Sequence, residues 1–206
     1  MTKRIGILIS GRGSNMLALA DAIDERRIPG AEIALVISDH AEAAGLQRAN
    51  ERGLKTSAIE RDGRSREEHE RAIVATLEEH RVDLVCLAGY MRLLSNYFID
   101  AYRNRILNIH PSLLPAFPGL EVHARVLESG VKWSGCTVHF VDETLDGGPV
   151  IAQKTVPVRD NDTEETLADR ILEQEHQLYA EALALVVAGR FEIVGRRVRN
   201  DTEEQG

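Results

Sequence analysis

Four short runs are apolar at nearly every position: IGILIS at 5–10, IALVIS at 33–38, DLVCLAG at 83–89 and RILNIH at 105–110. Between them polar residues return with helical spacing. A strand that rests on one core alternates apolar and polar side chains, whereas a strand apolar on both sides must be covered on both. The pattern therefore predicts βαβ units and a mostly parallel, doubly wound α/β sheet of Rossmann-like type. Helix punctuation agrees with this. In SREEHERAIVATLEEH (65–80), Ser65 stands at a cap position, Glu68 is its capping-box partner, and Ile73, Val74 and Leu77 share one stripe.

Past residue 131 the pattern changes. SGCTVHFV and PVIAQKTVPV read as two strands, and the turn-rich DETLDGG between them predicts a C-terminal antiparallel hairpin with a long loop. A long C-terminal helix follows from Thr163 to about Val187, with Thr166, Leu167, Ile171, Leu178 and Leu185 on or near one stripe. Residues 196–206 close in NDTEEQG, polar and small, which predicts a frayed tail. Neither a repeat nor a low-complexity linker divides the 206 residues, so one domain is expected.

Composition removes several classes of function. The formal charge is −8, from 33 acidic side chains against 25 Lys and Arg, so the cationic surplus of a general nucleic-acid binder is missing. The basic start MTKR leads into a short apolar run that ends in a glycine loop rather than a cleavage site. No stretch approaches the roughly 18 apolar residues of a membrane span. A cytoplasmic chain without nucleic-acid or membrane partners is expected. Cys86 and Cys136 each sit inside an apolar run and read as buried thiols, not as a disulfide or a metal pair.

Candidate chemistry begins at SGRGSN, 10–15, which follows the first strand and precedes a helix. Backbone N–H groups at such a helix start form an anion site. The loop lacks the GK[ST] of a P-loop, and Met16 stands where a dinucleotide fingerprint carries its third Gly or Ala, although Gly11, Gly13 and Asp39 fit one. A phosphate monoester site, a dinucleotide site and a purely structural turn are all open readings.

In LNIHPSLLP, 107–115, strand alternation points Asn108 and His110 the same way, roughly 7 Å apart along the backbone. They stand at the carboxyl end of the strand, where open α/β sheets bind ligands, and Pro111 ends the ladder. A carboxamide N–H and an imidazole N–H together suit a developing oxyanion. Neither a GxSxG elbow nor a Cys beside the His is present, so direct acyl transfer fits better than an acyl-enzyme. Asp146, in LDGGPV, supplies a carboxylate to hold the His protonated or to take an amine proton. The plainer reading is that Asn108 and His110 satisfy loop backbone and that Asp146 is a turn residue. His110, His123 and His139 have no spacing that groups them as a zinc set, so no metal is expected.

Taken in order, ISGRGSN, LAGYMRLL (87–94), LNIHPSLLP, GCTVHFV and LDGGPVI closely resemble the phosphoribosylglycinamide formyltransferase family over residues 5 to about 187. The resemblance implies the formyltransferase fold and transfer of a formyl group from the co-substrate 10-formyltetrahydrofolate to glycinamide ribonucleotide in purine synthesis. It assigns Asn108 and His110 as the polarising pair and Asp146 as their carboxylate. Gly13, Ser14, Asn15 and Met16 fall in the loop that grips the 5′-phosphate, and Glu175 matches a residue that holds the ribose. Arg66 and Met91, Arg92, Leu93 and Leu94 match the folate pocket, as do Val141 and Asp142 in the wall around the pterin. On this scheme 1–105 is the ribotide-binding half and 106–195 the catalytic and folate-binding half, and the partners are small molecules bound by a monomer or homodimer.

Three positions depart from the family pattern. Ala116 and Glu121 stand where relatives often carry Lys or Ser and His or Asn, and Ala180 replaces a frequent Pro. The first loses a basic contribution near the phosphate. Three rivals are weighed: a formyltetrahydrofolate hydrolase, expected to carry an extra N-terminal domain; methionyl-tRNA formyltransferase, expected to carry a basic C-terminal barrel; and a non-catalytic nucleotide-binding module, since fold does not guarantee function. The intact Asn108, His110 and Asp146 argue against the last.

Overall fold

The structure, a computed structural model, describes residues 2–200. The order is β1 (Lys3–Ile9), α1 (Ser14–Asp24), β2 (Ala31–Ser38), α2 (Ala44–Glu51), β3 (Thr56–Ala58), α3 (Arg66–Glu79), β4 (Leu84–Leu87), α4 (Asn96–Ala101) and β5 (Ile106–His110). There follow α5 (Val122–Ser129), β6 (Trp133–Phe140), β7 (Val150–Pro157), α6 (Glu164–Ala188), β8 (Phe191–Val194) and β9 (Arg197–Asn200). One sheet runs β3-β2-β1-β4-β5-β6-β7-β9-β8. It is parallel from β3 to β5, and β6 pairs antiparallel with both β5 and β7. The α/β fold with a parallel core and the hairpin after residue 131 are as the pattern predicts.

The all-apolar runs are covered on both faces. Ile5, Ile7 and Ile9 of β1 join α1 and α6 in one core, while Leu8 joins α3 and α4 in the other. Gly6 shows how closely α3 lies on the sheet: a Cβ there would come within 2.6 Å of Leu77 Cδ2. The α3 capping box forms as read, Ser65 Oγ accepting from the Glu68 N–H and the Glu68 carboxylate from the Ser65 N–H. Tyr179 of α6 is fully buried, and its hydroxyl lies 3.1 and 3.0 Å from the carbonyl oxygens of Leu87 and Leu107, tying the long helix to β4 and β5.

Two expectations need correction. Thr166 is exposed, because it serves as the N3 partner of the Thr163 cap, whereas Leu185, half-buried, packs against the core as the stripe predicts. The tail read as 196–206 begins too early: residues 197–200 form β9, which pairs with β8 and touches β7 at Val150–Arg197. The end of that tail, 201–206, lies outside the described residues. In addition, β3, β8 and β9 are three or four residues each, too short for periodicity to register. Both cysteines are buried, and burial pushes each thiol up to about 12, which leaves neither as a nucleophile. Among the described residues no helix is long and apolar enough to cross a membrane.

From β1 the chain winds outward to β2 and β3, then returns past β1 to β4 and β5. The switch point lies between β1 and β4, and the loops after these two strands flank a natural crevice. Ser10 bridges them, its N–H donating to Gly89 O at 3.1 Å.

Candidate active site

The end of β5 presents the first cluster. His110 is buried, and its Nε2 donates to Phe117 O at 2.9 Å, leaving Nδ1 3.4 Å from Asp146 Oδ2. Phe117 is held by a polar network beneath the loop that follows Pro111. The Thr137 hydroxyl donates to Ser112 O (2.6 Å) and accepts from Leu114 N–H (3.0 Å) and Gln153 Nε2 (2.9 Å). Gln153 also donates to Leu114 O at 2.8 Å, and the Ser112 hydroxyl donates to Ala116 O at 2.6 Å. The Leu114–Pro115 peptide is cis.

Asp146 sits in the left-handed region, φ 49°, on the loop between β6 and β7. That conformation turns its carboxylate back onto the strand ends. Oδ2 accepts from Gly119 N–H at 2.8 Å, and Oδ1 lies 3.8 Å from His139 Nε2. His139 is a functional neighbour that sequence reasoning missed. It is 2% exposed, its Nδ1 donates to Phe140 O at 2.9 Å, and so its Nε2 is the lone-pair nitrogen that accepts from Asn108 Nδ2 at 3.3 Å. Burial pulls the His139 pKa below the usual histidine range, and the Phe140 carbonyl and Asp146 only partly oppose it. Its link to Asn108 comes from the antiparallel register Asn108↔His139, which no motif spacing discloses.

The structure thus brings Asn108, His110 and Asp146 together, with His139 between Asn108 and Asp146. Asn108 keeps its second N–H free, and His110 Nδ1, 3.4 Å from the carboxylate, is left without a good hydrogen bond. Among the described residues no group of three or more His, Cys, Asp or Glu is placed to hold a metal.

Gly13 caps α1 in the left-handed conformation, φ 71°, and a Cβ on it would stand 2.9 Å from Gly45 Cα. The loop is therefore fixed against the start of α2, where Gly45 N–H donates to Gly11 O at 2.9 Å. No side chain caps α1, so the first amides of the helix, from Ser14 to Met16, have no helical acceptor. Asn15 is buried; its Nδ2 donates to Glu175 Oε2 at 2.8 Å, and its Oδ1 has no partner. Burial raises the Glu175 pKa, with the Asn15 bond opposing. The side chain of Met16 is fully buried in the core, so only its N–H can serve a ligand. Asp39 forms an ion pair with Arg92, which weakens its reading as a ribose ligand of a dinucleotide.

A cleft of about 230 Å³ opens between α3 and the segment after β4, with Arg66, Tyr90, Met91, Arg92 and Leu93 in its lining. Met91 and Leu93 are exposed apolar side chains, and Arg66 has no carboxylate partner among the described contacts. Leu94 and Val141 instead pack half-buried on the core face shared with Phe98, and Asp142 accepts from Thr144 N–H and its hydroxyl. Those three are outside the cleft lining.

The profile described as formyl transferase matches residues 3–183. The chain belongs to the formyl transferase family. It is 42% identical over 190 residues to the phosphoribosylglycinamide formyltransferase of Escherichia coli (strain K12), covering 92% of this chain and 89% of that one. It is also 48% identical over 189 residues to the trifunctional purine biosynthetic protein adenosine-3 of Drosophila melanogaster, covering 91% of this chain but 14% of that relative. The chain thus spans about a seventh of the length of that trifunctional relative. Within the family, the glycinamide ribonucleotide transformylase 1 of Symbiobacterium toebii superposes with a TM-score of 0.94 at 51% identity, covering 97% of this chain and 94% of that one. A formyltetrahydrofolate deformylase of Pseudomonas syringae pv. tomato superposes at 0.90 with 26% identity, covering 97% and 66%.

Proposed function

We propose that this chain transfers the formyl group of 10-formyltetrahydrofolate to the amine of 5′-phosphoribosylglycinamide, giving formylglycinamide ribonucleotide and tetrahydrofolate. The observation that carries the reading is the convergence of Asn108, His110 and Asp146 at the carboxyl end of β5. The relatives' names supply the substrates. Among the described residues no thiol stands beside the cluster and the buried Ser112 hydroxyl is committed to Ala116 O, so the amine attacks the formyl carbon directly. The free N–H of Asn108 and the Nδ1–H of His110 hold the oxygen of the tetrahedral intermediate, and Asp146 keeps that His proton in place. As the bond from the formyl carbon to N10 breaks, the proton lost by the amine passes by way of Asp146 and His110 to the leaving nitrogen.

The amides of Ser14, Asn15 and Met16 take the 5′-phosphate, and Glu175, oriented by Asn15, takes the ribose hydroxyls. The apolar and cationic cleft of Met91, Leu93, Arg92 and Arg66 suits a flat heteroaromatic ring followed by carboxylates. Ribotide binding then draws on both halves of the chain, since Asn15 precedes residue 105 and Glu175 lies far beyond it. The cleft given to the folate, with Arg66 and Met91 to Leu93 in its lining, lies before residue 105, outside the half expected to bind it. The enzyme is cytoplasmic, works with two small-molecule partners and needs no metal.

A coupled assay tests this reading. Tetrahydrofolate is expected only when glycinamide ribonucleotide accompanies 10-formyltetrahydrofolate. The likeness to a deformylase gives the second reading, hydrolysis by water. Equal consumption of the folate with and without ribotide would select it.

A further inference from the structure

Residues 90–95, between β4 and α4, form no helix or strand, yet they present Met91 and Leu93, 71% and 59% exposed, at the cleft. Apolar side chains facing water do not hold such a segment in shape; its backbone must be fixed elsewhere. Tyr90 and Leu94 pack on the core at either side of Met91 and Leu93, and three polar groups fix the backbone and side chains between and after. The Ser10 hydroxyl accepts from Met91 N–H at 3.0 Å, Asp39 pairs with the Arg92 guanidinium, and Glu70 takes Ser95.

Glu70 makes the most extensive of these attachments. Both of its carboxylate oxygens accept from Ser95 N–H, at 2.9 and 3.1 Å, and Oε2 also accepts from the Ser95 hydroxyl. The side chain reaches from α3, is 2% exposed and has no Lys or Arg within ion-pair distance among the described residues. Burying a carboxylate without a cation is unfavourable unless its lone pairs are filled, and here a single residue of the cleft segment fills them. None of the proposed proton transfers uses Glu70, although it borders the cleft.

We infer that Glu70 is a positioning residue for the one-carbon donor: by anchoring Ser95 it sets where Met91 and Leu93 stand in the cleft. The inference rests on the folate reading of that cleft. The expected signature is selective for one substrate. Glu70→Ala raises KM for 10-formyltetrahydrofolate about tenfold, as a misplaced binding wall does, and leaves KM for the ribotide and kcat at saturation nearly unchanged. Glu70→Gln retains an acceptor oxygen for Ser95 N–H and recovers most of the loss. Amide hydrogen exchange over 91–95 accelerates in Glu70→Ala relative to β1 and β5.

An unchanged donor KM, or equal loss for both substrates in step with a lowered melting temperature, overturns the positioning role. Should Glu70→Ala fail to fold, Ser95→Ala carries the test, since it removes only the hydroxyl donor and should raise donor KM in the same direction. Wild-type protein that does not use the folate at all defeats the reading of the cleft. The exchange result then still decides whether Glu70 pins the segment.

Discussion

Asn108 shows how one side chain acquires direction from its neighbours. Its carboxamide could turn either way, but His139 donates from Nδ1 to Phe140 O and therefore offers only a lone pair at Nε2, so the Asn108 N–H side must face it. Asn108→Ala removes both the donor and that partner, and turnover is expected to fall roughly 100-fold, with a smaller change in ribotide KM, in steady-state assays. His139→Ala leaves Asn108 in place but unaligned, and a fall of roughly tenfold in kcat is expected, smaller than for Asn108→Ala. An equal loss in the two variants would give His139 a direct part in the chemistry. Asn108, His110 and Asp146 were legible because motif and strand alternation place them. His139 was not, because its partnership arises from strand pairing between residues 31 positions apart.

At the level of elements, the loop that follows β5 matters more than its length suggests, because Phe117 O is the acceptor that orients His110. Thr137, fully buried on β6, satisfies three groups at once: Ser112 O, Leu114 N–H and Gln153 Nε2. Thr137→Val keeps the shape and removes all three bonds. The expected cost is about 1–3 kcal/mol in urea unfolding, since the polar partners are left buried and unpaired, and activity should fall with it as His110 loses its anchor. A variant with wild-type stability would show that water replaces the hydroxyl. The helices that the sequence discloses most clearly, α3 and α6, carry local signals in their caps and stripes. The network under the loop and the β8-β9 pair depend on residues far apart in sequence or on strands of four residues, and neither leaves a periodic trace.

Across the whole molecule, the sheet collects groups from distant parts of the chain and buries several of them, which makes stability depend on pH. Burial lowers the pKa of His123, His139 and His176 below the ordinary histidine value, in each case chiefly by desolvation. Their contribution is present above the unfolded value near 6.5 and is lost as pH falls toward the folded values, because the unfolded chain takes up protons that the folded one refuses. Glu175 acts the other way. Its folded pKa is raised, so its contribution is complete below the unfolded value near 4.5 and lost as pH rises through the folded one. Three depressed histidines outnumber one raised carboxyl in the window from about pH 7 to pH 5, so the melting temperature is expected to fall across it. His139 is the most deeply buried of the three, and replacing it with Gln, which cannot titrate, should flatten that fall more than the same change at His176. Calorimetry at several pH values checks both statements, and a melting temperature that rises toward pH 5 would mean that Glu175, or acid pairs elsewhere, outweighs the histidines.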